Sequence, residues 1–407
     1  MPTSTTLPPR ISKRTLDALP VQGKRVLVRV DYNVPINEQG VITDDTRIKE
    51  TLPTLNYLLE KGGALVLCAH MGRPKGQPNP AFSLQPVAKR LELLIKRPVQ
   101  MAPDCVGEEV VKMAAALKPG DILLLENLRF HAEEEANEPV FAAALAKLAD
   151  VFVQDAFGAV HRAHASTAGV AKLLPSAAGL LLAKEIYYLG KAMENPERPF
   201  VAILGGSKVS DKIEVIESLL EKVNALVIGG AMAYTFLKAQ GVEVGKSRVE
   251  LDKIDVAKNL LKKAKDKHVQ FFLPLDHVIV EQVDAKSPTK TTSGSSIPVD
   301  WIAVDIGPLT IKAYTGLLAK ARTVVWNGPM GIFEMPPFAE GTFAIARTLA
   351  EITPRGATTI VGGGDSVAAV HEAKIADSLS HISTGGGASL EFLEGKTLAG
   401  IAALPDA

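Results

Sequence analysis

The sequence predicts an α/β protein of two doubly wound, Rossmann-like parallel-sheet lobes joined by an interdomain helix. Three observations predict it. Short apolar, β-branched runs recur at residues 26–30, 64–69, 122–125, 151–153, 201–204, 226–228, 324–326 and 359–361, each followed by a turn signal and usually by a helix-period stretch. The runs are apolar at both parities, as strands buried on both faces must be, which makes the sheets parallel and helix-covered. At 407 residues the chain exceeds a typical single domain.

Taken in order, residues 1–10 form a polar lead rich in Thr and Pro, expected to be a disordered tail outside the fold. Residues 11–183 supply the first lobe. Leu182, Ile186, Leu189 and Met193 then mark one helical face before Asn195, Pro196 and Pro199 stop it, so residues 184–199 read as an interdomain helix and hinge. Residues 200–397 supply the second lobe. Within it, the polar stretch 287–298 reads as a surface loop.

Composition narrows the function classes. Lys plus Arg equals Asp plus Glu at 45 each, so there is no global attraction to nucleic acid or to an anionic membrane, and any basic site must be local. Cys68 and Cys105 form no CxxC pair and no metal-ligand cluster, which reads as two core thiols in a reducing compartment. No apolar run reaches the length of a membrane span, and the start has no apolar signal-peptide centre. A cytoplasmic location is expected.

In doubly wound sheets, ligands bind beyond the carboxyl ends of the strands. In the first half those ends carry Asp31 and Asn33 in RVDYNVP, then Arg47; His70 and Arg73 in HMGRP; Arg129 in ENLRF; and His161, Arg162 and His164 in the HRAH segment. An Arg fork matches two phosphate or carboxylate oxygens at once, so four of them after four strands indicate a pocket for a small polyanion. The histidines either reach the ligand or serve as polar core residues. The acidic run Glu133, Glu134 and Glu135 reads as solvated surface.

In the second half the strand ends carry glycine: GGSK with Gly206, Ser207 and Lys208; GGAM with Gly229 and Gly230; WNGPMGIFE with Asn327 and Glu334; GGGDS with Gly363, Gly364, Asp365 and Ser366; and STGGGAS with Gly385, Gly386 and Gly387. Glycine admits a ligand close to the backbone, and a following helix amino terminus presents free N–H groups to phosphate. Lys208 and Lys212, four apart at an expected helix start, would share one face and reach the same phosphates. Asp365 is the candidate Mg²⁺ ligand, because Mg²⁺ takes one or two carboxylates plus phosphate oxygens. GVEVGKS imitates a phosphate-binding P-loop but has only three residues between its glycines, and it is rejected as one. No GxGxxG follows a strand with an acidic residue at the required offset, which disfavours an NAD-dependent dehydrogenase of an acidic substrate. A non-catalytic nucleotide-binding protein is the other competing reading.

With RVDYNVP, HMGRP, ENLRF, HRAH, GGSKVSDK, WNGPMGIFE, GGGDS and STGGGAS in this order, the chain resembles the phosphoglycerate kinase family from about residue 11 to its end. The resemblance implies transfer of the 1-phosphoryl group of 1,3-bisphosphoglycerate to ADP, giving 3-phosphoglycerate and ATP, by in-line transfer with Mg²⁺ on the nucleotide and hinge-bending closure. It implies that Asp31, Asn33, Arg47, His70, Arg73, Arg129 and Arg162 bind the glycerate. It assigns Lys212, Asn327, Glu334, Gly363, Gly364, Asp365 and Ser366 to the nucleotide and metal side, and Gly206, Ser207, Gly229, Gly230 and Leu309 to the walls around base and sugar. Arg47, Lys208 and the amides of Gly385, Gly386 and Gly387 are expected to share the charge of the migrating phosphoryl group. It further implies a monomer, with the tail 398–407 folding back on the first lobe. Departures from the family pattern are mild: Tyr32 for the usual Phe, Ser207 for Ala and Ser366 for Thr.

Overall fold

The computed structural model describes residues 11–407, so the polar lead at 1–10 lies outside the described residues. Two compact units divide the chain, one running to Tyr187 and including Thr397–Ala407, the other Tyr188–Lys396. The division falls within the helix Leu180–Glu194.

The first unit holds β1 (Arg25–Arg29), β2 (Ala64–Cys68), β3 (Gln100–Met101), β4 (Ile122–Leu124), β5 (Val151–Gln154) and β6 (Ser176–Ala178). They form one parallel sheet in the order β3-β4-β2-β1-β5-β6. Val26, Val28, Leu65, Leu67, Leu124 and Val153 share one core with Ile48, Leu55 and Leu58 of the helix Thr46–Glu60. Leu27, Val66, Leu123 and Phe152, at the opposite parity, are also fully buried. Burial on both faces is the physical content of the both-parity pattern, each such side chain stabilising the fold by roughly 1.5–3 kcal/mol. The carboxyl-terminal segment belongs to this unit: the Arg14 amide donates to Pro405 O (2.9 Å), Gly400 N to Val160 O (2.7 Å) and Ala407 N to Ser12 O (3.1 Å).

The second unit holds β7 (Phe200–Leu204), β8 (Ala225–Ile228), β9 (Gln270–Phe272), β10 (His277–Val280), β11 (Lys290–Thr291), β12 (Ile302–Ile306), β13 (Thr323–Asn327), β14 (Thr358–Gly362) and β15 (His381–Ile382). Six of them make a parallel sheet in the order β15-β14-β13-β7-β8-β9. The other three form an antiparallel sheet, β11-β10-β12, absent from the sequence-based expectation. The stretch expected as a loop at 287–298 therefore contains a strand. β11 is two exposed residues held by the β10 ladder, too short to carry a periodic signal.

The strand order reverses between β1 and β5 in the first unit, where β4 also lies between β2 and β3, and between β7 and β13 in the second. Such reversals leave a crevice beyond the strand ends.

Candidate functional site

In the first unit, the residues after β1 and β2 are laced together. Arg47 enters on the first turn of the helix Thr46–Glu60, whose start is held by Asp44 Oδ1 accepting from the Thr46 amide at 2.9 Å. Arg47 Nη1 donates to Asp31 Oδ2 and to the Asn33 carbonyl, both at 3.0 Å. Asn33 Oδ1 accepts from the Gly72 amide at 2.9 Å, and the Gly72 carbonyl accepts from Arg129 Nη1 at 2.8 Å. Gly72 has φ +59°, and a Cβ there would lie 2.4 Å from the Phe82 ring, so glycine alone fits. Asn127, fully buried, accepts from the Met71 and Arg129 amides and donates to the Met71 and Phe82 carbonyls, locking ENLRF to HMGRP.

His70 is buried where Arg29, Arg129, Arg162 and Arg47 all act on it; burial first, and those guanidiniums next, hold it well below the usual imidazole range. His164 is held at about 4, by burial and then by Arg129, Arg29 and Arg162. Both histidines are therefore neutral near pH 7, and the positive charge of the pocket is carried by arginines. Arg129 is buried, Arg73 is exposed, and Arg162 Nε donates to His161 Nε2 at 3.1 Å.

Two residues under this pocket escaped sequence reasoning. Arg29, at the end of β1, is fully buried, as is Glu134, which corrects the reading of the 133–135 run as solvated surface. Glu134 lies under the pocket because Ser166 donates to it twice, from its amide (3.0 Å) and its hydroxyl (2.5 Å). The only sequence signal for Arg29 was a charge inside an otherwise apolar strand. Cys105 also has unexpected neighbours: its side chain, with those of Asp104 and His131, places ligand-type atoms within 4.8 Å of one another. Hydrogen bonds to Asp104 Oδ1 from His131 Nε2 (2.7 Å) and the Cys105 amide (2.6 Å) account for that proximity.

In the second unit the glycine segments pack backbone against backbone. A Cβ on Gly205 would lie 2.0 Å from the Pro329 carbonyl oxygen, and the Gly230 amide donates to Met330 O at 2.9 Å. Gly363, with φ +88°, precedes the helix Gly364–Glu372, and a Cβ there would press on the Asn327 amide at 2.9 Å. Ser366 Oγ accepts from the Gly328 amide at 2.6 Å, joining GGGDS to WNGP. Lys212 donates from Nζ to Asn327 Oδ1, and burial lowers it to about 8, an effect that Asp211, Asp365 and Glu394 oppose. The Asn327 Nδ2 amide is buried without a partner. Asp365 stands exposed on the first turn of Gly364–Glu372.

The shared helical face expected for Lys208 and Lys212 is not formed. The helix Ile213–Leu219 begins only after Lys212, and Glu250 takes the amides of Val209 (2.6 Å) and Ser210 (3.2 Å) in the turn before it. Lys208 is exposed in the preceding turn, beside Ser207. Gly385 precedes the helix Gly386–Leu393, whose first N–H groups have no intrahelical partner. Leu309, 54% exposed, is tied through its amide to Asp276 at 2.9 Å, and Glu334 is exposed in the loop after β13.

Comparison with known proteins adds an independent line. A family model described as phosphoglycerate kinase matches residues 16–396. Proteins named phosphoglycerate kinase from Chlorobium phaeobacteroides and Moorella thermoacetica are 57% and 58% identical to this chain, each over 97% of it and 100% of their own length. The solved phosphoglycerate kinase of Coxiella burnetii superposes with a TM-score of 0.88 at 41% identity, covering 96% of this chain and 98% of its own. That of Pyrococcus horikoshii gives 0.83 at 32% identity over the same shares. Neither a dehydrogenase nor a non-catalytic binding protein is favoured by these matches. Among the described residues, no helix is long and apolar enough to cross a membrane.

Proposed function

The chain belongs to the phosphoglycerate kinase family, which transfers the 1-phosphoryl group of 1,3-bisphosphoglycerate reversibly to ADP, and from that premise we propose which of its residues carry each part of the reaction. The basic pocket of the first unit holds the glycerate, with Asp31, Asn33, His70, Arg73, Arg129 and Arg162 positioning it and Arg47 facing the migrating group. The observation that carries this reading is the Asp31–Arg47–Asn33–Gly72–Arg129 chain of hydrogen bonds, which sets two guanidiniums at one sheet crevice. The second unit holds the nucleotide, with Gly206, Ser207, Gly229, Gly230 and Leu309 walling the base and sugar. Lys212, Asn327, Glu334, Gly363, Gly364 and Ser366 hold its phosphate and ribose side.

An acyl phosphate donor and an ADP oxygen acceptor need no proton abstracted, so alignment and charge stabilisation suffice. Arg47, Lys208 and the amides of Gly385, Gly386 and Gly387 share the charge of the migrating phosphoryl group, in a transfer that needs hinge-bending closure. An exposed carboxylate at a helix start beside a phosphate-binding lysine fits Mg²⁺, so Asp365 would hold the ion directly or through water. Bound there with the nucleotide, Mg²⁺ supplies charge neutralisation on the phosphate oxygens. The same reading has the enzyme working in the cytoplasm as a monomer.

The test is turnover of 3-phosphoglycerate with MgATP, coupled to NADH oxidation through glyceraldehyde-3-phosphate dehydrogenase. Lys208→Ala should lower kcat by about 10²-fold or more in a folded chain. Near-normal kcat would remove Lys208 from the transition state.

A further inference from the structure

Beneath His70 lies a buried polar chain with a defined direction. Arg29 is fully buried and donates three ways: Nε to Ser166 Oγ (2.8 Å), Nη1 to Val30 O (2.5 Å) and Nη2 toward His70 Nδ1 (3.1 Å). The Ser166 hydroxyl, having accepted from Arg29, passes its own hydrogen to Glu134 Oε1 at 2.5 Å, while its amide donates to Oε2 at 3.0 Å. Glu134, with no solvent exposure, is thus the carboxylate that balances the Arg29 charge through one hydroxyl, and His164 Nδ1 stands 3.9 Å from it.

A guanidinium has five donors and no acceptor. The ring nitrogen facing Arg29 must therefore offer a lone pair, and the proton of a neutral imidazole must sit on the other nitrogen. We propose that Arg29, backed by Ser166 and Glu134, is a positioning residue that fixes His70 in the Nε2–H tautomer, so that His70 meets the glycerate's anionic oxygens as a hydrogen-bond donor. The opposite tautomer would turn a lone pair toward the anion. An imidazolium would set an N–H against the Arg29 N–H, which agrees with His70 being held well below the usual imidazole range. The four residues come from β1, the loop after β2, the helix Ala132–Glu135 and the 165–169 turn, so the device exists only in the folded unit. The proposal rests on reading this pocket as the glycerate site.

The first experiment uses the wild-type, ligand-free full chain. Long-range ¹H–¹⁵N spectra, with the His70 signals identified by their loss in His70→Ala, should show a protonated Nε2 and a bare Nδ1 at neutral pH; an Nδ1–H tautomer or an imidazolium overturns the proposal. Kinetics supply the second. Arg29→Gln should raise the KM for 3-phosphoglycerate about tenfold, the scale of one lost charge-assisted hydrogen bond, with kcat changed less than about twofold and the KM for MgATP unmoved. Arg29→Lys, which keeps a single donor, should recover part of the loss. Because Arg29→Gln strands the Glu134 carboxylate, the Arg29→Gln/Glu134→Gln double variant guards against misfolding and should show the same KM rise. If it leaves KM unchanged while His70→Ala raises it, the positioning role is wrong. If His70→Ala also leaves KM unchanged, the glycerate-site reading falls, and the proposal with it.

Discussion

Arg47 Nη1 is shared between the Asp31 carboxylate and the Asn33 carbonyl, 3.0 Å from each, while 37% of the Arg47 side chain stays exposed. Nη1 is thereby held by the protein while the rest of the side chain stays partly open to solvent. Arg47→Ala should lower kcat by about 10²-fold, whereas Asp31→Asn, which removes the charge but keeps an acceptor, should cost about tenfold in kcat/KM. Steady-state rates on both substrates check this. Equal losses would mean that Asp31 does more than orient Arg47.

The Lys212–Asn327 contact carries a pH signature. Burial brings the Lys212 ammonium from its ordinary 10.5 to about 8, so in the ligand-free protein it is charged below that pH and neutral above. The KM for MgATP should therefore rise on the alkaline side of about pH 8. Lys212→Arg should remove that limb, because guanidinium stays charged. Stability has the opposite sense: between about 8 and 10.5 the unfolded chain holds a proton the folded chain has lost, so this group makes stability increase with pH in that window.

Gly72 is a sterically closed position in the basic pocket of the first unit. In Gly72→Ala the φ of +59° strains the backbone and the new methyl meets the Phe82 ring at 2.4 Å, so the loss should be roughly 1–3 kcal/mol from the backbone strain before any clash is counted. Phe82→Ala added to Gly72→Ala should relieve the clash but not the φ strain. Thermal denaturation of the single and double variants measures the two parts. Full rescue would show that the dihedral angle costs nothing.

Asp155 is fully buried, and burial raises its carboxyl from an ordinary 3.8 to about 7. Its Oδ1 accepts from the Leu181 (3.0 Å) and Leu182 (3.2 Å) amides at the start of the helix Leu180–Glu194. Because the folded value lies above the unfolded one, the folded state keeps a proton the unfolded state has released. Its contribution is full below about pH 3.8 and is lost as pH rises to about 7. Asp155→Asn should flatten that slope while keeping the acceptor, and Asp155→Ala should cost about 1 kcal/mol or more by orphaning the amides. Urea denaturation at several pH values separates the two. An unchanged slope in Asp155→Asn would assign it to another group.

The central strands of both parallel sheets were legible in the sequence, since a strand covered on both faces is apolar at both parities and that demand is written locally. Sequence reasoning missed β3, β6, β9 and β15, all edge strands, because an edge needs little more than a few backbone hydrogen bonds to one neighbour. The residue types at the strand ends were legible too, Arg and His in one half and Gly in the other. Pairing between residues far apart in the chain was set by the fold. Glu250, about 40 positions from Ser210, holds the turn that precedes the helix Ile213–Leu219, and Glu134 turns inward because Arg29, more than a hundred positions earlier, needs a counter-charge. Local pattern records what a residue prefers against water. A buried charge is stable only beside its partner, and that partner is chosen by the fold.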